Sequence, residues 1–338
     1  MCKKLLLFQI VLLILFSKID IQADYLLPYN IIYTPNTVYS VEWSPDGERI
    51  AVGGEGYVWI YSFERELLAS LKTESGNTTV LRWVNNNDML VGVSFSTQTQ
   101  RGRTIIWEMK NYNMISSRSR SFSVANDYIW FWDNQHILGG NGGGDLFIID
   151  SQSGQVKKRS RIISDNSDIS NIFIHGFCQS NQQNIVFAIT TNGIYSINLE
   201  DLSYETVNMQ VGSSGDCNPS ATLFSTPIGR LVRLDQVDVS YRLSNLEIDY
   251  EGNGPEFVVR WNPIYPMIAS YTADGLYLWD VFGLNIIEPD NIFRQAGLGG
   301  FHSIAWHPSG EYLAQAGKDG AYVNIWHITM EDLLNSQP

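Results

Sequence analysis

Tryptophan recurs along this chain at two repeating positions, and that recurrence narrows the possible folds more than any other feature. The stretch Val38–Ser62, VYSVEWSPDGERIAVGGEGYVWIYS, reads as three short strands. Val41 and Trp43 flank polar Glu42, the alternation of a half-buried strand. Pro45-Asp46-Gly47 reads as a turn, because proline presets one dihedral and glycine supplies a positive φ. Ile50-Ala51-Val52 makes a second strand. After a turn in Gly53–Gly56, Tyr57–Tyr61 makes a third.

The same paragraph returns at Phe301–Ile328, where Trp306, Pro308-Ser309-Gly310 and Trp326 take the places of Trp43, the turn and Trp59. It returns at Phe257–Val281 with Trp261 and Trp279, and at Val80–Met109 with Trp83 and Trp107. Fainter copies cover Tyr128–Asp150, with Trp132, and Ile172–Leu199, with Phe177. The faintest takes Ala221–Ser225 as its first strand and Arg230–Leu234 as a later one. Successive anchors are about 40 to 49 residues apart, the period of a four-stranded propeller blade. Nine of the 10 tryptophans fall on one of the two positions, and Trp130 lies two residues from Trp132 on the same strand face. Large flat rings fill the wedge between twisted sheets, so these tryptophans are read as core and not as a ligand platform.

Trp43-Ser44-Pro45-Asp46-Gly47 and Trp279-Asp280, with Asp-Gly at Asp274-Gly275 and Asp319-Gly320, make the chain resemble the WD-repeat propeller family. The Gly-His pair of that family is missing, and Trp107-Glu108 and Trp326-His327 match its Trp-Asp only in part. The resemblance implies an all-β fold: a single seven-bladed β-propeller of four-stranded blades. Its ring would be closed by an N-terminal strand near Tyr29–Tyr33, which removes an open edge. Residues 24–328 form the propeller in this reading, and 329–338 a short C-terminal tail with a capped helix.

Residues 1–23 read as a signal peptide. Lys3 and Lys4 precede an apolar run, Leu5–Phe16, that is too short to span a bilayer, and Ala23 is the best cleavage point. The expected protein is therefore secreted, periplasmic or cell-envelope associated, with no membrane insertion once the signal is removed. Cys178 and Cys217 remain after cleavage. Taking Cys178 at the exit of one first strand and Cys217 just before the next places them at opposite ends of a strand, so no disulfide is expected.

Net charge is -13, which makes nucleic acid a poor partner. The five histidines show no metal-binding spacing, and there is no Cys-x-x-Cys and no Gly-x-Ser-x-Gly elbow. No catalytic residue, metal or cofactor is expected. Two basic features stand out. Arg101 and Arg103 close a polar excursion read as a loop between second and third strands. Lys157–Arg161 (KKRSR) falls where a charge-guarded outer strand belongs.

The function implied by the resemblance is a monomeric, non-catalytic scaffold that binds a protein or peptide partner. The alternative is a propeller enzyme of lactonase or glycan-active type with a site in its central channel. Partner contacts are expected on the face bearing the loops between second and third strands and those linking repeats. That face would hold Tyr57, Arg101, Arg103, Asp274, Lys318 and Asp319, with Tyr39 and Tyr128 from the linking loops. Tyrosine and arginine bring large area or several hydrogen bonds at modest entropy cost.

Overall fold

Alternating strands and Pro-x-Gly turns produce antiparallel sheets throughout. The computed structural model describes residues 26–84, 88–96, 101–120, 128–131, 135–140, 143–163, 172–180, 182, 184–208, 215–226, 230–234, 240–242, 258–272, 275–281, 285–287, 303–316 and 320–328. The expectations for the leader, Trp132, Asp274, Lys318, Asp319 and the C-terminal helix lie outside these residues. All elements among them are strands, and the architecture fits a β-propeller.

The first strand among the described residues is β1 (Leu26–Tyr33). The next sheet holds, in order, β2 (Val38–Trp43), β3 (Arg49–Ser62), β4 (Leu67–Val84), β5 (Met89–Ser96), β6 (Arg101–Glu108) and β7 (Asn113–Arg120). Both β3 and β4 serve twice. Residues 50–54 of β3 pair with β2 and residues 57–61 with 67–72 of β4, while 77–84 of β4 pair with β5. This sheet is therefore two four-stranded units joined along β4. A third unit follows: β8 (Tyr128–Phe131), β9 (His136–Gly140), β10 (Asp145–Asp150) and β11 (Val156–Arg161). Then come β12 (Ile174–Gln179), β13 (Ile185–Thr190), β14 (Gly193–Asn198) and β15 (Tyr204–Asn208). The fifth unit is the smallest: β16 (Asp216–Cys217), β17 (Leu223–Ser225), β18 (Arg230–Arg233) and β19 (Ser240–Arg242). β20 (Val258–Trp261), β21 (Met267–Thr272), β22 (Gly275–Asp280) and β23 (Asn285–Ile287) precede β24 (Ile304–Trp306), β25 (Tyr312–Ala316) and β26 (Tyr322–Ile328). The last three gain β1 as a fourth strand, with Tyr33 opposite Tyr322 and Leu26 opposite Ile328.

The core is divided into clusters, each between two consecutive units. Ala51, Val58 and Ile60 meet Leu81, Leu90 and Trp107. Val91 and Ile106 meet Ile137 and Phe147, and Leu138 and Ile148 meet Val186 and Tyr195. The series ends with Ile32, Ala305 and Val323 against Val41, Trp43 and Val52, so the last unit packs on the first. Contacts between first strands follow the same order, from β2 through β4, β8, β12, β16, β20 and β24, and β24 touches β2. Each fully buried aliphatic or aromatic side chain contributes about 1.5–3 kcal/mol.

The two tryptophan positions do different jobs. Third-strand rings lie across their own sheet. A Cβ on Gly92 would come within 2.8 Å of the Trp107 ring, so glycine there makes room for it. Trp279 donates its indole N–H to Ser270 Oγ (2.8 Å), and Trp326 to Gln315 Oε1 (3.0 Å). First-strand indoles reach back to the preceding unit. Trp83 donates to Glu42 O (3.1 Å), Trp261 to Asp216 O (3.0 Å) and Trp306 to Arg260 O (3.0 Å).

The register shows what these three bonds share. Each donor faces the second-strand residue seven positions later: Trp83 with Leu90, Trp261 with Ile268, Trp306 with Leu313. Each acceptor is the residue just before the equivalent site of the previous unit. In β12 that site is Gln179, opposite Val186, so Phe177 lies on the expected strand but two residues short of the tryptophan register. In β16 it is Cys217, opposite Phe224.

Two expectations are corrected here. The first strand of the fifth unit is Asp216–Cys217, and Ala221–Ser225 instead leads into the second strand, β17. Because of that one-strand shift, Cys217 lies on β16 at the same level as Cys178 on β12. Their Cα atoms are 5.8 Å apart and the sulfurs are bonded.

Where the last unit meets the first, Trp43 Nε1 is buried without an acceptor. That junction uses other groups. Val41 N donates to Ser303 Oγ (3.1 Å), and His307 Nε2 donates to Gly47 O (3.1 Å) while Nδ1 accepts from Ser309 N. Burial lowers the His307 pKa, which keeps the ring neutral for this pair of bonds. Gly47 closes its turn with φ 78°, and a Cβ there would meet the His307 ring.

Trp261→Phe keeps an aromatic ring but removes the N–H that Asp216 O accepts. It should cost about 1 kcal/mol more than Trp43→Phe, which removes an N–H with no partner. Denaturant midpoints at unchanged m-values measure the difference. Equal losses would mean that the indole bonds contribute nothing.

Candidate partner-binding face

In an antiparallel unit the start of the first strand, the end of the second and the start of the third share one end of the sheet. Tyr39 and Tyr128 stand at the starts of first strands β2 and β8. Tyr57 begins the second limb of β3, and Arg101 and Arg103 begin β6. All five therefore lie toward the same end of their units. All five are on strands, as the reading of Tyr57–Tyr61 expects for Tyr57, and this corrects the loop assignment of Arg101, Arg103, Tyr39 and Tyr128. Pairing of β5 and β6 runs out to Ser96 opposite Arg101 and leaves only 97–100 between them. The strand that follows Asp274 begins at Gly275, and the one that follows Lys318 and Asp319 begins at Tyr322.

Tyr57 is 38% exposed and lies parallel to the Trp59 ring, with centroids 6.3 Å apart. Arg103 is half-buried and donates to Ser117 Oγ (3.0 Å). Tyr39 is half-buried as well.

The register adds a feature that residue type did not announce. Four first strands carry one extra residue: Tyr39 in β2, Thr79 in β4 and His175 in β12, each four residues before the one that faces seven positions on, and Ile129 in β8. A bulge turns its side chain away from the regular pleat and is frequent beside functional sites. Thr79 Oγ1 and His175 Nε2 are buried there without a hydrogen-bond partner. Burial lowers the His175 pKa, so the imidazole is neutral and offers one donor and one acceptor. Thr79 and His175 were absent from the expected set. Tyrosine, threonine, isoleucine and histidine share no chemistry that a sequence pattern could detect.

Ionisable residues gather at the opposite end of the first strands. Arg82 Nη1 lies 3.2 Å from Glu42 Oε2 and also donates to Leu81 O. Arg260 makes the matching bond to Val259 O (3.0 Å). Asp216 Oδ2 accepts from Trp261 N (2.8 Å). Asp216 keeps some accessible surface but is surrounded by protein, and that burial raises its pKa against the opposing charges of Arg260 and, more weakly, Arg82. These groups are engaged in joining neighbouring first strands. Among the described residues no three His, Cys, Asp or Glu side chains are placed to hold a metal.

The basic run Lys157–Arg161 lies in β11, the edge strand of its sheet, as expected. Arg159 and Arg161 both bridge Asp145, at 2.8 and 2.9 Å. Lys157 lies 3.6 Å from Asp150, and Lys158 donates to Glu200 O. The run is thus compensated locally, as an edge guarded by charge should be.

A carboxyl with a raised folded pKa ionises at a cost that the unfolded chain does not share. For Asp216 the penalty is absent below the ordinary unfolded value, about 4, and grows as pH rises through the raised folded value. Asp216→Asn keeps an acceptor for Trp261 N and removes the charge. Its stability relative to wild type should therefore climb as pH rises from about 4. Melting temperatures of both proteins across that range check the slope, and a constant offset would show that Asp216 does not titrate in this way.

Residues 29–62 match the family model described as WD domain, G-beta repeat. The matched stretch runs from within β1, the outer strand of the last unit, to the end of β3. The sequence repeat is therefore offset by one strand from the sheet it builds. No curated protein matches the chain. The family match, on a chain of successive four-stranded units, supports a WD-repeat family.

Proposed function

We propose that this chain is an exported, non-catalytic scaffold, a seven-bladed propeller that holds a protein or peptide partner on one face. The placement of Tyr39, Tyr57, Arg101, Arg103 and Tyr128 at strand starts toward the same end of their units, beside four bulged first strands, carries this reading. WD repeats generally mediate protein–protein interaction, and the alignment of residues 29–62 fits such a role. The ring is supported by the unbroken order of first-strand contacts and by β1 completing the last unit. The same face is proposed to take in Asp274, Lys318 and Asp319, which lie outside the described residues, and the scaffold to act as a monomer. Export is supported by the basic start, the apolar run Leu5–Phe16 and Ala23. A Cys178–Cys217 disulfide fits an oxidising compartment.

Pull-down from the medium or cell envelope tests the face. Tyr57→Ala, or Arg101→Glu with Arg103→Glu, should weaken partner capture by about tenfold or more and leave the melting temperature nearly unchanged. If these variants keep binding while substitutions around Glu42 and Arg260 abolish it, the partner uses the other end. N-terminal sequencing of the native protein should begin near Asp24, and a native chain starting at Met1 in the cytoplasm would overturn export.

A further inference from the structure

We infer that the Cys178–Cys217 disulfide is a redox latch, replacing at one junction the indole bond used at others and making the fifth unit conditional on oxidising surroundings. Cys217 faces Phe224 seven positions on, as Trp83, Trp261 and Trp306 face Leu90, Ile268 and Leu313. Cys178 immediately precedes Gln179, which faces Val186 at the same spacing. Cys178 thus holds the acceptor position that Glu42, Asp216 and Arg260 hold elsewhere, and Cys217 holds the donor position. A covalent bond sits where neighbouring junctions have an N–H donating to a carbonyl.

The unit it fastens needs such a bond. β16, β17, β18 and β19 have two, three, four and three residues, against six, six, six and five in the preceding unit. Short strands bring few ladder bonds, and Cys217 stands where β2, β4, β20 and β24 bury a tryptophan ring. Among the described residues, the junction's apolar cluster beside the disulfide brings Phe187, Ile189 and Ile194 against Ala221, Phe224, Val232 and Leu234. Units held by few buried contacts open first.

The two sulfurs are unequally accessible. Cys178 is 4% exposed, whereas Cys217 is half-buried, so an external dithiol meets Cys217 Sγ first. The reductant's thiolate bonds to that sulfur and the S–S bond breaks, releasing the Cys178 thiolate. The second reductant thiol then displaces Cys217. Two electrons and two protons pass to the protein, leaving two cysteine thiols and one reductant disulfide. Asp216 lies next to Cys217 in sequence and also takes the indole bond of Trp261, so loosening β16 reaches the next junction as well.

Hydrogen exchange of the whole protein, oxidised and after dithiothreitol, tests the latch. Reduction should speed exchange at least about tenfold in Ile174–Gln179 and across β16 to β18, while β2, β5, β25 and β26 stay protected. Cys178→Ser with Cys217→Ser should show the reduced pattern without any reductant. Unchanged exchange in the fifth unit would overturn the proposal. So would equal acceleration in every unit, which would make the bond a general crosslink. If the double variant does not fold, the reduced wild-type protein still decides between these results.

Discussion

A four-stranded sheet has two faces, and in this protein both are apolar, so no unit can bury itself. Each must lie against one neighbour on one face and another on the other. The core is consequently distributed among the junctions between sheets, with Ile60 and Trp107 at one and Ile325 and Trp43 at another. What each unit leaves unburied is its outer edge, and the chain protects the edge according to its composition. β11 does so with four cations bridged to Asp145, Asp150 and the Glu200 carbonyl.

The ends of the first strands are where this shared burial becomes specific. Apolar faces alone would tolerate sliding, but a directional bond from Trp306 to the carbonyl beside Trp261, and from Trp261 to the carbonyl beside Cys217, fixes one register against the next. The junction between last and first units lacks that bond at Trp43 and is held instead by Ser303, His307 and the added strand β1. Different solutions at equivalent places show that what is required is a fixed alignment, whichever chemistry provides it.

How much of this could be read in advance depended on the size of the marker at each site. Trp43, Trp83, Trp261 and Trp306 announced their strands because a tryptophan at that register has few other uses. The fifth unit offered no such marker. Its first strand is two residues long and ends in cysteine, so the reading slipped by one strand and carried Cys217 away from Cys178. Phe177 gave the right strand but the wrong register, since it stands two residues before Gln179 on the same face, where β2, β4, β20 and β24 carry Val41, Leu81, Val259 and Ile304. The bulges at Thr79 and His175 depend on pairing across a sheet and leave no trace in residue type. Arg101 and Arg103 read from sequence as loop residues because a polar, glycine-containing segment looks the same whether or not it is paired.

The pairing of β1 with β26 joins residues that are nearly three hundred positions apart. During synthesis at roughly 5–20 residues per second, β1 emerges on the order of 15–60 s before its partner exists. For that interval the last unit has no outer strand and Ile32 has no cluster to enter. The earlier units can pair locally, since their hairpins close over a few residues, but the last unit gains its fourth strand only when β26 arrives. β1 therefore waits through most of synthesis with its hydrogen-bonding edge unpaired, and its pairing with β26 is among the last contacts the chain can make.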